Sequence, residues 1–431
     1  MKVAVVGKSA FSHRVNGIDV PAVIAGHTVQ LIRQLLTYAA TRGHEVYYLY
    51  PTTVAEEDTV VFDPYDNLPE AVTLVPFGDP RFSKTSVHSG WLDLTAALTR
   101  AANVNGGLDW VILCYGFPFA PLLGYLKHEQ GFRLAVLVRG GDGYKWLDHH
   151  WLQQQGPVMN NSEELRSVYK AALSNADFLG VASRWLGRKL RQHDVRFHAV
   201  IESPAACEGA VVGIVTRGLF PPTAGISVTY GAMNPEKRWM LTAGRASRDK
   251  RADLAIEVFA EAALPDWQLI LSVPGPQHDI VAEQARRLKP GSVCVVTTAP
   301  RAIGALFKTC DAYIHTSIPS REFVDARPSS VTSAAYYGKP VVAPLAVDGG
   351  LTESLSSENI DAYCFDIRDV DGQGGTTRIV TLAAHAALRL LDCALRESVG
   401  LANAEHSKGS SVEAVFGRLF AHLEDVPQPG G

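Results

Sequence analysis

Arg245 and Lys250 stand five residues apart in a short basic turn, Gly244-Arg245-Ala246-Ser247-Arg248-Asp249-Lys250, with Arg251 following at once. Cations clustered at the tip of a strand can hold a diphosphate, whose oxygens take charge-assisted hydrogen bonds from guanidinium and ammonium groups. Taken alone, the turn is equally a solvated basic loop. A second stretch, residues 311–345, carries Arg321, Glu322, Asp325 and Arg327 just ahead of Pro328. Its loop leaves the carboxyl end of one segment and enters the amino end of a helical one, where backbone N–H groups favour anions. Taken alone, that stretch is an ordinary crossover with a polar loop.

The elements that must position these residues follow from the pattern around them. Residues 239–242 form an apolar run before the basic turn, and Leu254, Ala255, Val258 and Phe259 mark a helix after it. Residues 312–315 read as a buried strand, 329–337 as a helix and 340–343 as the next strand. Pro328 suits the first helical turn, and Gly338 suits a left-handed stop. Further apolar runs at 3–6, 44–50, 72–75, 110–114, 134–138, 176–182, 197–201, 268–273 and 292–296 read as strands. Helical segments separate them, so the class is α/β with parallel sheets. The first turn is a long polar loop from Lys8 to Gly26, followed by a helix with Val29, Ile32, Leu35 and Leu36. Its glycines are spread out, and the G-x-G-x-x-G dinucleotide fingerprint is absent. Residues 202–236 read as a connection, 379–396 as one long helix and 411–424 as the last helix.

A length of 431 residues fits two α/β domains, and 47% hydrophobic content supports large cores. The net charge of −4 gives no global basic field for nucleic acid. Six scattered cysteines without a C-x-x-C are expected to be reduced and buried, in a cytoplasmic protein. No secretory leader or membrane span is expected. Asp148-His149-His150 lacks a third ligand at suitable spacing, so no metal is expected. Arg139-Gly140-Gly141-Asp142-Gly143 is a glycine-rich turn with one cation and one carboxylate. Arg184, Arg188, Lys189 and Arg191 read as a solvated face, or as a contact for an acidic acceptor or an anionic membrane.

Together the two stretches resemble the retaining GT-B glycosyltransferases, the group 1 or glycogen-synthase-like enzymes. The family loop G-R-x-x-x-x-K is matched by Gly244, Arg245 and Lys250. The family strand G-x-P-V-V-A is matched by residues 338–343. Counting back from it, the first of two family glutamates falls on Asp325 and the second on Ser333, a departure at both positions. Gly349-Gly350-Leu351-Thr352-Glu353 resembles a further family turn.

The resemblance implies two Rossmann-like domains facing across a cleft, with an acceptor-side domain over 1–205, a donor-side domain over 206–405 and a terminal helix and tail over 406–431 that returns to the first. It implies transfer of a sugar from a nucleotide-diphosphate donor to an acceptor hydroxyl, with retained anomeric configuration and no metal. Arg245, Lys250 and Asp325 become the catalytic set. Gly244, Arg248, Glu322, Ala326, Arg327, Ser329, Ser333 and Gly17 fall on the donor side. His13, Arg14, Asn16, His27, Arg139 and Asp142 fall on the acceptor side. The donor is a substrate, with no permanently bound cofactor. A small molecule, a glycan, a lipid-linked acceptor or a nucleic-acid base stays open as acceptor. An epimerase or phosphorylase, or a binding protein without transfer, stays open as the alternative.

Overall fold

The structure, a computed structural model, describes residues 1–7, 13–15, 18–20, 27–52, 59–61, 69, 71–78, 87–103, 106–114, 119–140, 147, 162–206, 226–248, 250–275, 277–288, 291–298, 302–318, 325–346, 349–368, 370 and 375–426. The chain divides into two units, changing unit after Glu202 and again after Ser411.

In the first unit, β1 (Lys2–Val6) is followed by β2 (His13–Val15), β3 (Ile18–Val20) and α1 (His27–Thr41). Then come β4 (Glu45–Thr52), β5 (Thr59–Val61), β6 (Val72–Gly78) and α2 (Val87–Asn103). β7 (Trp110–Leu113), α3 (Ala120–Gln130), β8 (Arg133–Val138) and α4 (Ser162–Ser174) continue the alternation. β9 (Phe178–Val181), α5 (Arg184–Arg191) and β10 (Ala199–Val200) complete it. Seven parallel strands lie in the order β10-β9-β8-β7-β1-β4-β6. Val3 to Val6 are all fully buried, as expected of a strand covered on both faces. The last helix, Val412–Asp425, belongs to this unit. Its Phe416, Leu419, Phe420 and Leu423 enter the core, and Tyr38 of α1 lies 5.6 Å from both Phe416 and Phe420, ring centre to ring centre.

The second unit opens with β11 (Ile226–Tyr230) and β12 (Arg238–Ala243), then α6 (Ala252–Ala262) and β13 (Trp267–Ser272). α7 (His278–Arg286), β14 (Val293–Thr298), α8 (Ile303–Thr309), β15 (Ala312–Ile314) and α9 (Ser329–Tyr336) follow. β16 (Val341–Leu345), α10 (Ser357–Tyr363), β17 (Cys364–Asp366), α11 (Gly375–Leu388) and α12 (Cys393–His406) end it. The strand order is β11-β14-β13-β12-β15-β16-β17. Chain direction across the sheet reverses between β12 and β15, which makes their carboxyl ends the topological switch point.

Three expectations differ from the structure. Residues 379–396 are two helices, because Asp392 leaves the helical conformation and its carboxylate caps the Leu395 N–H at 3.0 Å. The stretch read as one polar loop holds β2 and β3, which pair with β5 in a small antiparallel sheet. β11, inside the presumed connection, runs antiparallel to β14, so the second sheet is not wholly parallel. Its three middle residues are exposed, which removes the apolar signal that would have announced it.

The Gly338 stop has a packing role as well. Gly338 adopts φ +67°, and a Cβ on Gly400 of α12 would lie 2.4 Å from the Gly338 carbonyl oxygen. Alanine is the better helix former by about 1 kcal/mol. Overpacking against backbone costs about 1–3 kcal/mol and outweighs it. Gly400→Ala is therefore expected to lower the urea midpoint at unchanged slope. An unchanged or higher midpoint would show that the helices separate freely.

Candidate functional site

The strands carrying the site are latched to each other at both ends. At the amino end, Asp311 accepts the Trp239 N–H at 2.6 Å, and its own N–H donates to the Trp239 carbonyl at 2.9 Å. At the carboxyl end, Tyr313 donates its hydroxyl to the Ala243 carbonyl at 3.0 Å, and Thr242 donates to the Ile314 carbonyl at 3.2 Å. The loops leaving β12 and β15 therefore start from one rigid edge.

Behind the basic turn stands the segment after β13. The Gly244 N–H donates to Ser272 O at 3.1 Å, Ala246 N–H to Pro274 O at 2.8 Å, and Gln277 N–H to Ala246 O at 3.1 Å. Gly275 sits at φ +137°, and a Cβ there would lie 3.0 Å from Arg245 Cγ and 3.1 Å from the Ala246 backbone. The missing side chain lets this segment back the Arg245 turn closely. Arg245 and Arg248 are exposed. Arg251 instead ends the turn in the left-handed region at φ +49° and reaches Asp253 at 3.0 Å.

Lys250 and Asp325 meet at the switch point, 75 residues apart in sequence. The Lys250 ammonium donates to both carboxylate oxygens, at 2.8 and 2.9 Å. The side chains are 28% and 19% exposed. Thr316 ties the Lys250 carbonyl at 2.9 Å, and the Gly350 N–H ties the Asp325 carbonyl at 3.1 Å. An ion pair this far out of water gains little net stability, because desolvation offsets its attraction. What it does is hold a cation and an anion beside the amino end of α9. Arg327 follows at that end, its Nε donating to Ser354 Oγ at 3.1 Å; the buried Ser354 also bonds Thr332 at 2.9 Å. Ala326 is buried, and Ser329 opens the helix.

His315 is the residue here that the sequence reading passed over, since it closes an apolar run and looks like the end of a strand. The ring is buried, with Nε2 3.6 Å from Asp325 Oδ2. Burial pushes its pKa down to about 4; Asp325 opposes this and Lys250 adds to it. The imidazole is therefore neutral at pH 7.

Two expected contacts are corrected. Ser333 does not present its hydroxyl to a ribose: it is 2% exposed, donates to Ser329 O at 2.8 Å and accepts the Ala206 N–H at 2.9 Å. Arg139 is not offered to an acceptor either. It is 7% exposed and donates to the Ile201 carbonyl inside the first unit. Next to it, burial pushes the Cys114 thiol up to about 12. His13 and Arg14 fall on β2 and His27 at the start of α1, but their side chains lie outside the described residues, as do Gly17, Asn16, Asp142, Glu322 and the Asp148–His150 trio. On α5, Trp185, Leu186 and Leu190 are buried and Arg184, Arg188 and Arg191 exposed, the arrangement of a solvated basic face.

Residues 231–373 match the family model for glycosyl transferases group 1. No curated protein matches the sequence. Among solved structures, the sucrose-phosphate synthase of Thermosynechococcus elongatus is similar with a TM-score of 0.64 at 16% identity, over 99% of this chain and 100% of that one. A glycosyltransferase from Rickettsia africae gives 0.61 at 11% identity, over 99% and 98%. Anabaena HepE in complex with UDP and glucose gives 0.59 at 13% identity, over 98% and 99%. The carboxyl-terminal ends of β12 and β15 lie inside the matched segment, and so do Arg245, Lys250 and Asp325. Residues 231–373 thus resemble a group 1 glycosyltransferase domain, within a chain that has the two-domain GT-B fold.

Proposed function

We propose that this protein transfers a sugar from a nucleotide-diphosphate donor to an acceptor hydroxyl, with retention of configuration and without a metal. The observation that carries the reading is the Lys250–Asp325 pair at the switch point, beside the amino end of α9 and the exposed Arg245. A departing diphosphate needs positive charge already in place. Lys250 and Arg245 supply it, aided by the backbone N–H groups at the amino end of α9. Asp325 accepts a sugar hydroxyl. The acceptor hydroxyl then attacks from the face the diphosphate leaves and gives its proton to the departing diphosphate oxygen, so no enzymic nucleophile is needed and the anomer is kept. HepE, bound with UDP and glucose, makes UDP-glucose the first donor to try. Among the described residues no helix is long and apolar enough to cross a membrane.

The test is a thermal-shift screen of UDP-, ADP- and GDP-sugars, followed by NMR of the anomeric proton in any product. A ligand at a hundred times its Kd stabilises the native form by about 2.7 kcal/mol. No shift with any nucleoside diphosphate or its sugars would end the glycosyltransferase reading; an inverted anomer would end retention alone.

The commitment of Ser333 to the protein has a consequence for the nucleoside. The ribose loses the carboxylate partner that the second family glutamate implies. The 2′-deoxynucleoside diphosphate is expected to bind within about tenfold, or about 1.4 kcal/mol, of the ribonucleotide. Greater discrimination in calorimetry would place another ribose partner in the site. The same residue favours a second reading, ligand binding without transfer. The intact Arg245 and Lys250 oppose it, and acceptor-independent hydrolysis of a donor would dismiss it.

A further inference from the structure

The pair at the switch point leaves a problem for the proposed reaction. Lys250 holds both oxygens of Asp325. If its ammonium turns to a diphosphate, a carboxylate that is only 19% exposed loses that charge partner. Weakening the charge compensation of a carboxylate there is unfavourable, so a group that already faces it gains a role.

His315 faces it. The residue sits at the carboxyl end of β15, its backbone N–H bonded to Val342 O at 2.9 Å. Its ring is buried, and Nε2 stands 3.6 Å from Oδ2, just beyond hydrogen-bond range while Lys250 occupies the carboxylate. A shift of under an ångström closes that gap.

We propose, resting on the glycosyltransferase reading, that His315 is a positioning residue to which the Asp325 carboxylate passes when Lys250 engages the donor diphosphate. The Nε2–H then holds Oδ2, and Oδ1 stays free to accept a sugar hydroxyl. A neutral ring suits this task. It donates a hydrogen bond without adding a cation that would compete with Lys250 for the diphosphate. Burial keeps it neutral, and Lys250 and Asp325 are the charged groups acting on it, in opposite senses.

The experiment compares His315→Gln, which keeps an N–H near the Nε2 position, with His315→Leu, which keeps only bulk. UDP and UDP-glucose are the probes. His315→Leu is expected to weaken UDP binding by about tenfold, the loss of one hydrogen bond to a charged group, and to lower kcat/KM for UDP-glucose hydrolysis by at least as much. His315→Gln should restore most of the rate. In an Asp325→Asn background the leucine change should add nothing, because the residue acts through that carboxylate. Full activity of His315→Leu, an unrescued loss in a folded His315→Gln, or additive losses would each overturn the role. Should neither variant fold, ¹⁵N NMR of histidine-labelled wild type decides: a neutral Nε2–H ring whose Hε2 shifts on adding UDP supports the proposal, and an Nδ1–H ring overturns it. Wild type that neither binds UDP nor hydrolyses UDP-glucose defeats the UDP-sugar reading itself, a result distinct from any of these.

Discussion

Lys250→Ala is expected to lower donor turnover by about a hundredfold or more, and Arg245→Ala by a similar factor, with both variants folded. Lys250 is placed at the switch point before any ligand arrives, so donor binding has only to exchange its Asp325 partner for the diphosphate. Its removal also leaves Asp325 without the ammonium. With side chains 28% and 19% exposed, the pair falls between an exposed one, worth about 0–1 kcal/mol, and a buried one, whose breaking costs about 3–5 kcal/mol, so the loss is expected to leave the domain folded. Turnover and unfolding midpoints measured on the same preparations separate the two effects. Arg245 is exposed and anchors no core, so its variant should melt with wild type. Near-normal turnover in both purified variants would sink the assignment of the basic turn.

Asp325→Asn carries the second large effect, and the ion pair sharpens its direction. On the proposed reading the carboxylate accepts a hydroxyl of the donor sugar, and a charge-assisted bond is about twice as strong as a neutral one. The neutral amide should lose most of the turnover. It also releases Lys250 from a partner that competes with the diphosphate for its ammonium. Nucleoside-diphosphate affinity is therefore expected to stay equal or to rise while turnover falls. A carboxylate at this place has a purely structural use too, since a negative charge near a helix start is favoured by about 0.3–1 kcal/mol. That use predicts a slightly less stable protein with unchanged turnover. Turnover set beside calorimetric UDP affinity distinguishes the two, and full activity would return Asp325 to the scaffold.

The sequence by itself carries everything that depends on near neighbours along the chain. Apolar runs alternating with helical stripes specify parallel α/β units, because side-chain period reports which face is buried. Gly338 after α9 and the apolar stripe of Val415, Phe416, Leu419 and Phe420 in the last helix are local signals of the same kind. The spacing of Arg245 and Lys250 in the basic turn is also local, as is the count back from Gly338 to Asp325. Only the tertiary structure decides which of these residues meet. The strand order sets β15 against β12 and so brings Asp325 to Lys250 and to His315. The same long-range packing turns the Ser333 hydroxyl onto Ala206 and the Arg139 guanidinium onto Ile201, where spacing alone had left both open to a ligand. The edge strand β11 and the break at Asp392 belong with them. Exposure on one side and a capping carboxylate on the other override the apolar pattern, and neither is expressed in the periodicity of the residues involved.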